Sequence, residues 1–276
     1  MTGAPVETDV LARRRLARSL SLRAVVPNAI TAAALCAGLT GIRFAIAGDF
    51  EKSVQAVILA GMLDGIDGRA ARLLKAQTRF GAELDSLADS ISFGVAPALI
   101  VYLWTLREVP SIGWIAALAF AICCVLRLAR FNARIDTLDQ PHKQAGFLTG
   151  VPAPVGAGLA FLPMYLWLAT GRSEFANPIG VSVWMVVIAF LLISNLPTLS
   201  WSKMHPPRSV RIAVIALVGL LFASLLTEPW PTLALITIAY LALLPLGIVS
   251  YARVRRRAAS APALSPEPVE GLHAET

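Results

Sequence analysis

Four aspartates lie between residues 64 and 89 at regular spacing. Asp64 and Asp67 are three residues apart, and Asp85 and Asp89 are four residues apart. On a helix, each spacing places both carboxylates on one face. An aspartate at membrane depth costs roughly 3 kcal/mol to insert, so four of them among apolar runs require a compensating partner. Two such faces turned toward each other would form an all-oxygen ligand set, which Mg²⁺ and Mn²⁺ prefer.

The first aspartate pair belongs to a longer stripe on one helix face, which continues through Gly68 and Ala71 to Arg72. The small residues would let a large ligand approach the backbone, and the Arg72 guanidinium suits phosphate oxygens. Metal ions held here would bind a substrate's phosphates, and a carboxylate not fully used as a ligand would accept a proton from a hydroxyl. The alternative is that the aspartates form buried salt bridges with Arg69, Arg72 and Arg79.

The composition indicates that helices in a membrane position these residues. Of the 276 residues, 57% are hydrophobic and only 15% are charged, whereas a soluble domain has about 25% charged residues. The mean hydropathy is +0.69. Prolines interrupt the fifth and sixth of the apolar stretches that are long enough to span a bilayer. We predict an all-α, polytopic bundle of about eight spans, at residues 27–47, 53–74, 84–105, 112–134, 150–170, 178–197, 209–227 and 230–251.

The basic residues support this arrangement. If the spans alternate in direction, all but four of the 24 basic residues fall on one side, the exceptions being Arg43, Lys52, Arg107 and Arg172. The positive-inside rule then predicts that both termini and the aspartate segment face the cytoplasm, in a membrane of the bacterial inner-membrane type. The net charge of +7 is accounted for by topology and lipid headgroups, and no nucleic-acid partner is expected. Three cysteines within apolar spans indicate neither a disulfide framework nor a zinc site.

The two ends of the chain differ in composition from the spans. Residues 1–23 form a polar tail and a basic stretch, which we interpret as an amphipathic helix on the membrane surface; a solvated basic lead-in is the alternative. Residues 24–200 would hold the catalytic six-helix core and residues 201–257 two further spans. Residues 258–276 are rich in Pro and Ala and are expected to be disordered. Pro27 suits the first position of the first helix.

The aspartate segment also resembles a known signature. It reads Asp64-x-x-Asp67-Gly68-x-x-Ala71-Arg72, then eight residues, then Gly81-x-x-x-Asp85-x-x-x-Asp89, which resembles the signature of the CDP-alcohol phosphatidyltransferases at every fixed position. The resemblance implies a six-helix membrane core in which an alcohol displaces CMP from a CDP-linked lipid. It implies that the four aspartates hold two divalent ions, Mg²⁺ or Mn²⁺. It also implies that Asp89 is the base and that Gly68 and Arg72 contact the nucleotide and its diphosphate.

The same resemblance implies a role for polar residues near the entrance of the first span. Asn28 and Thr31 match positions that lie near the nucleotide in the family, although such a pair also suits an ordinary helix cap. Thr78, in the loop before Gly81, is a candidate for a hydrogen bond to the diphosphate.

The fourth predicted span supplies candidates for the acceptor site. Arg127, Arg130 and Arg134 share one helix face, where arginines hold a carboxylate or phosphate bidentately; as an alternative they snorkel to the interface as anchors. Arg130-Phe131-Asn132 and the downstream segment 147–154 resemble elements of the membrane-bound phosphatidylserine synthases in this family. That resemblance implies CDP-diacylglycerol as donor, L-serine as acceptor, Asn132 in the acceptor site, and a homodimer among membrane lipids.

Two other functions fit parts of the pattern. The same arginines would suit a phosphorylated acceptor, such as glycerol 3-phosphate or inositol phosphate, in the same reaction. A transporter is the alternative from another class, because ionisable residues inside a helical bundle often mark an ion path. Here, however, the polar residues crowd one membrane face, and no broken-helix repeats are evident.

Overall fold

The computed structural model describes residues 22–135, 147–149, 151–194, 197–199 and 208–259, with side chains over 24–133, 151–194 and 212–245. The described chain is almost entirely helical. Its ten α-helices are α1 (Leu22–Ile46), α2 (Phe50–Leu73), α3 (Arg79–Asp89), α4 (Ala96–Trp104), α5 (Pro110–Ile135), α6 (Ala153–Ala160), α7 (Leu162–Thr170), α8 (Pro178–Ile193), α9 (Arg208–Thr227) and α10 (Pro229–Ala259). The predicted surface helix before residue 22 and the predicted tail beyond residue 259 lie outside the described residues.

These helices follow the eight predicted apolar stretches, and their lengths and apolarity are those of a helical membrane protein. Within the described residues, three uninterrupted helical stretches are long and apolar enough to cross a bilayer, and the bent pair α6–α7 makes a fourth. The three are Ala24–Ile46, Arg79–Trp104 and Pro110–Ala133. Shorter apolar helices cover Pro178–Ile193, Ile212–Thr227 and Pro229–Pro245. The count of eight spans stays a prediction.

The prediction for the start of α1 was wrong. The helix begins at Leu22, so Pro27 lies inside it and not at its first position. A proline at this place removes only the hydrogen bond to the Arg23 carbonyl, a loss that falls within the first two turns. Asn28 and Thr31 therefore lie in the helix interior and do not cap its N-terminus.

Helix α2 ends directly after the aspartate stripe, in a turn that sends the chain into α3. Lys75 adopts the left-handed conformation, with φ of 49°. Its N–H donates to Arg72 O at 3.2 Å, and the Ala76 N–H donates to Ala71 O at 2.9 Å. This pair of bonds is a Schellman motif, which satisfies the last carbonyls of a helix and reverses the chain. Thr78 then caps α3 by accepting a hydrogen bond from the Gly81 N–H at 3.0 Å.

A π-helical segment, Ser90–Val95, joins α3 to α4 directly after Asp89. Pro97 has no N–H to donate to the Phe93 carbonyl, so the ordinary ladder is interrupted there. The Ala96 N–H donates instead to Ile91 O, five residues back. A π-turn inside a helix often marks a functional site, because it changes which side chains share a face.

The bend between α6 and α7 follows from Pro163. A proline cannot donate to the carbonyl four residues earlier and clashes with it, and the helix bends by 43° at this point. The freed carbonyl belongs to Leu159, and the Trp184 indole N–H of α8 donates to it at 2.9 Å. The side chain of α8 thus satisfies the backbone group that the proline leaves open.

The buried core lies where α2, the π-segment, α4, α5, α6, α7 and α8 meet, around large side chains such as Phe93, Phe120, Phe161 and Met185. The helical patterns did not predict one feature: Phe147–Thr149 and Pro197–Leu199 form a short antiparallel ladder, β1–β2. Helix α10 packs along α7, where Trp230 stacks on Tyr165 with ring centroids 6.5 Å apart. The two C-terminal helices are therefore attached to the core through α10.

Candidate active site

Helices α2 and α3 bring the signature aspartates together. Asp64 and Asp67 from α2 and Asp85 from α3 each offer a carboxylate oxygen, and the three oxygens lie within 4.8 Å of one another. Asp89, one turn further along α3, lies beside Asp64. The two predicted faces thus meet, as the i,i+3 and i,i+4 spacings indicated. Asp67 is the least exposed of the four, with 4% of its surface accessible.

Helix α1 fixes the orientation of one carboxylate. The Thr31 hydroxyl lies 2.6 Å from Asp67 Oδ2 and 3.0 Å from Pro27 O. The hydroxyl can donate its one hydrogen to either acceptor, and the bond to a charged oxygen is the stronger. Since Thr31 is itself buried, it holds Asp67 in place between α1 and α2.

The N-terminus of α3 packs closely against Asn28 of α1. A Cβ added to Gly81 would lie 2.9 Å from Asn28 Oδ1 and 3.2 Å from Thr78 Oγ1. A residue with a Cβ here would require the Asn28 amide group or the Thr78 hydroxyl to move. Gly81 of the signature therefore leaves room for the Asn28 side chain beside the start of α3. The Thr78 hydroxyl oxygen accepts the capping bond of α3, and its hydrogen is still available to a ligand.

The salt-bridge alternative is wrong for the described residues. Within them, none of the four carboxylates forms an ion pair, and the one ion pair found joins Asp49 and Lys52 at the opposite end of α2. The candidate partners Arg69, Arg72 and Arg79 are exposed. Clustered carboxylates without cationic partners repel one another, so the donor set fits divalent cations with oxygen ligands.

The open face beside the cluster is the one predicted. A Cβ added at Gly65 or Gly68 would meet no atom within 4 Å, so this side of α2 is free of neighbouring side chains. Gly68 lies about 40° from Asp64 around the helix and Gly65 about 100°, so Gly68 is the nearer of the two to the aspartates. Arg72 extends from the last turn of α2 and is exposed, which leaves its guanidinium free for a ligand.

The candidate acceptor residues of α5 divide into three groups. Arg130 donates to Ile193 O at 2.9 Å, at the end of α8, and Asn132 donates to Ser86 Oγ at 2.8 Å, on the helix that carries Asp85. Both therefore join α5 to neighbouring helices. Arg127 is half-buried and has no hydrogen-bond partner among the described residues for its Nε. The side chain of Arg134 lies outside the described part.

Two features near the site were not predicted. Ser86, the partner of Asn132, fixes α5 against α3, and only a contact between distant segments could reveal it. Tyr240 of α10 lines an apolar cavity of about 370 Å³ together with residues of α2, the π-segment, α6 and α7. The cavity adjoins the cluster, because it reaches Gly61 and Phe93, one turn from Asp64 and Asp89 respectively.

Comparison with sequence families matches the chain to two descriptions. Residues 24–201 match the CDP-alcohol phosphatidyltransferase family, and residues 210–245 match a family described as CDP-alcohol phosphatidyltransferase 2. The first match contains all four aspartates, and the second contains Tyr240.

Several curated proteins are similar over most of the chain, and each is named CDP-diacylglycerol–serine O-phosphatidyltransferase. The protein of Mycobacterium leprae is 36% identical over 236 residues, 86% of this chain and 78% of its own length. That of Mycobacterium tuberculosis H37Rv is 36% identical over 241 residues, 87% of this chain and 84% of its own length. That of Helicobacter pylori 26695 is 34% identical over 196 residues, 71% of this chain and 81% of its own length.

Proposed function

The chain belongs to the CDP-alcohol phosphatidyltransferase family, and we propose that it transfers the phosphatidyl group of CDP-diacylglycerol to the hydroxyl of L-serine. The products are phosphatidylserine and CMP. The choice of serine rests on the names of its relatives, which are similar over most of the chain. It makes the protein a transferase of phospholipid biosynthesis.

The carboxylate cluster is the observation that carries the chemistry. Three oxygens within 4.8 Å, with no ion-pair partner among the described residues, suit divalent ions. The family depends on such ions in general; we propose two, Mg²⁺ or Mn²⁺, held by Asp64, Asp67, Asp85 and Asp89. When bound, they would neutralise the charge of the diphosphate oxygens and of the leaving phosphate.

Asp89 is the proposed base. It lies beside Asp64 but is not among the three tightly clustered oxygens, so it is the carboxylate least committed to metal ligation. In the reaction, the serine hydroxyl oxygen bonds to the phosphorus of the phosphatidyl group, and the bond from that phosphorus to the CMP oxygen breaks. The hydroxyl proton passes to Asp89.

The open side of α2 is the proposed site of the nucleotide and its diphosphate. Gly68 provides space beside Asp64, and the exposed Arg72 provides a cationic fork for phosphate oxygens. Three polar residues border the same region. Asn28 and Thr78 lie close to Gly81, and Thr31 is hydrogen-bonded to Asp67. The apolar cavity beside Gly61 suits an acyl chain of the lipid.

The placement in the membrane completes the proposal. Eight spans, with both termini and the aspartate cluster at the cytoplasmic side, agree with the charge asymmetry of the loops and bring the site to the compartment that holds soluble serine and CMP. A homodimer is proposed from the family resemblance. The arginine face of α5 is proposed to bind the acceptor through Arg127, whose Nε has no hydrogen-bond partner among the described residues, whereas Arg130 bonds to Ile193 O.

An acceptor panel tests this function. Purified protein with CDP-diacylglycerol and Mn²⁺ or Mg²⁺ receives serine, glycerol 3-phosphate or inositol phosphate in turn, and CMP release is measured. We expect CMP release when serine is the acceptor and none with the other two compounds. Release with glycerol 3-phosphate or inositol phosphate and not with serine would keep the reaction and replace the acceptor. If none of the acceptors caused CMP release under any condition, the enzymatic assignment would be rejected.

A further inference from the structure

One side chain of the core helix α5 and one of the C-terminal helix α10 each have a buried polar atom. Arg127 Nε of α5 and the Tyr240 hydroxyl of α10 are both inaccessible to solvent, and within the described chain neither has a hydrogen-bond partner. Tyr240 lines the cavity beside the π-segment, and Arg127 lies one turn from Cys124, which packs against Gly94 of that segment. Both side chains therefore lie around the segment that directly follows Asp89. The two polar atoms are the only side-chain atoms in the described residues that are buried in this way.

Such a pair costs free energy unless a ligand completes it. A buried donor without an acceptor loses its bond to water and gains nothing in return, and a partly buried guanidinium requires a negative partner. Both atoms are donors, and an anionic oxygen between them would satisfy both. A carboxylate can accept from both a guanidinium and a hydroxyl, and it is the anionic group that the proposed acceptor serine carries.

We infer that Arg127 and Tyr240 together bind the carboxylate of the acceptor amino acid. The inference rests on the proposed function and assigns a task to α10, which lies outside the segment with the aspartate signature. With its carboxylate at this pair, the acceptor would lie where α5 packs along the end of α3 and the π-segment, the region that also holds the proposed base Asp89. The Tyr240 ring meanwhile lines the apolar cavity, so the C-terminal helix borders both the lipid and the acceptor.

Tyr240→Phe tests the inference, because it removes the hydroxyl and keeps the ring in the cavity. Loss of a hydrogen bond to a charged group should raise the apparent KM for serine about tenfold or more and leave the KM for CDP-diacylglycerol within about twofold. The matched control is Tyr102→Phe, which removes a hydroxyl from a half-buried tyrosine packed on Trp114 at the other end of the bundle and should change neither constant.

A second readout separates carboxylate binding from a general structural effect. L-Serinamide keeps the hydroxyl and amine of serine but has no carboxylate. The wild type should prefer serine to serinamide in kcat/KM, and Tyr240→Phe should reduce that preference about tenfold. An unchanged preference, or a rise confined to the KM for CDP-diacylglycerol, would overturn the inference while serine-dependent CMP release by the wild type still stood. Absence of that release in the wild type would overturn the proposed function as well.

Discussion

Helix α2 has an aspartate next to its first turn and two more near its last turns, and their surroundings differ. At the start, Asp49 is the N-cap: its Oδ1 accepts from the Lys52 N–H at 3.1 Å, and its Oδ2 pairs with Lys52 Nζ at 2.6 Å. At the other end, Asp64 and Asp67 face Asp85 of α3, and no arginine or lysine among the described residues pairs with them.

This difference distinguishes an aspartate that caps a helix, Asp49, from the aspartates of the proposed metal site. Asp49 is surrounded by donors from its own turn, so it needs no ligand. The acids at the far end are concentrated with like charges beside an open face of α2. Folding alone does not favour that arrangement, which indicates that a cation is its normal partner. We therefore expect substitutions at the far end of α2, and not at its start, to affect activity.

Removal of divalent ions should produce the largest effect. Chelation with EDTA should abolish CMP release, and added Mn²⁺ or Mg²⁺ should restore it. Mn²⁺ should also raise the melting temperature of the detergent-purified protein, since a ligand at 100 times its Kd stabilises the folded state by about 2.7 kcal/mol. Asp64→Asn should abolish that rise, and Asp49→Asn should retain it. An equal rise in both variants would place the cation elsewhere.

Asp89→Asn should have the second largest effect on turnover, because it removes the proposed base and keeps the shape of the side chain. We expect turnover to fall by about 10²- to 10⁴-fold, the usual contribution of general acid–base catalysis. Metal-dependent binding of the CDP-lipid, measured by equilibrium binding, should be largely retained, because the three clustered oxygens remain. Unchanged turnover would remove Asp89 as the base; loss of lipid binding would make it chiefly a metal ligand.

The comparison of the two ends also shows what the sequence could predict. Helical spacing predicted that the four carboxylates would meet, and hydropathy predicted the helical stretches, because both depend on residues near in sequence. The bond from Thr31 to Asp67 and the contact of Gly81 with Asn28 depend on how α1 lies against α2 and α3. Only the family resemblance pointed to that region.

Contacts between distant segments also determine the hydrogen-bond partners of the arginines of α5. Their spacing gave them one face. It could not show that Arg130 would bond to the end of α8, or that Arg127 Nε would have no hydrogen-bond partner in the described part of the chain. For the same reason Tyr240 gave no signal, since it is one aromatic residue among many in an apolar helix. The π-segment was likewise not predicted, although Pro97 marks the place where the ordinary ladder fails.

A pair of glycines near the far end of α2 offers a smaller, sharper test. Gly65→Ala and Gly68→Ala both add a methyl group in open space and should each stabilise the helix by roughly 0.5–1 kcal/mol. Gly68 shares the stripe of Asp64, so its substitution should raise the KM for CDP-diacylglycerol about tenfold by crowding the diphosphate, an effect of about 1.4 kcal/mol. Gly65 lies further than Gly68 from Asp64 around the helix, so Gly65→Ala should raise that KM less than Gly68→Ala does. Equal values for the two variants would contradict a ligand on this stripe.

The smallest effect is expected at the start of α2. Asp49→Asn keeps a side-chain oxygen that can cap the helix but removes the charge that pairs with Lys52, so turnover should be unchanged and the melting temperature only slightly lower. Hydrogen bonds from Lys52 hold the pKa of Asp49 below its ordinary value of 3.8. An acid with a lowered pKa stabilises the fold at neutral pH and loses that contribution as the pH falls through its folded pKa. The difference in melting temperature between wild type and Asp49→Asn should therefore disappear once the pH is below the folded pKa of Asp49. A marked loss of turnover by Asp49→Asn at neutral pH would show that the two ends of α2 are not functionally separate.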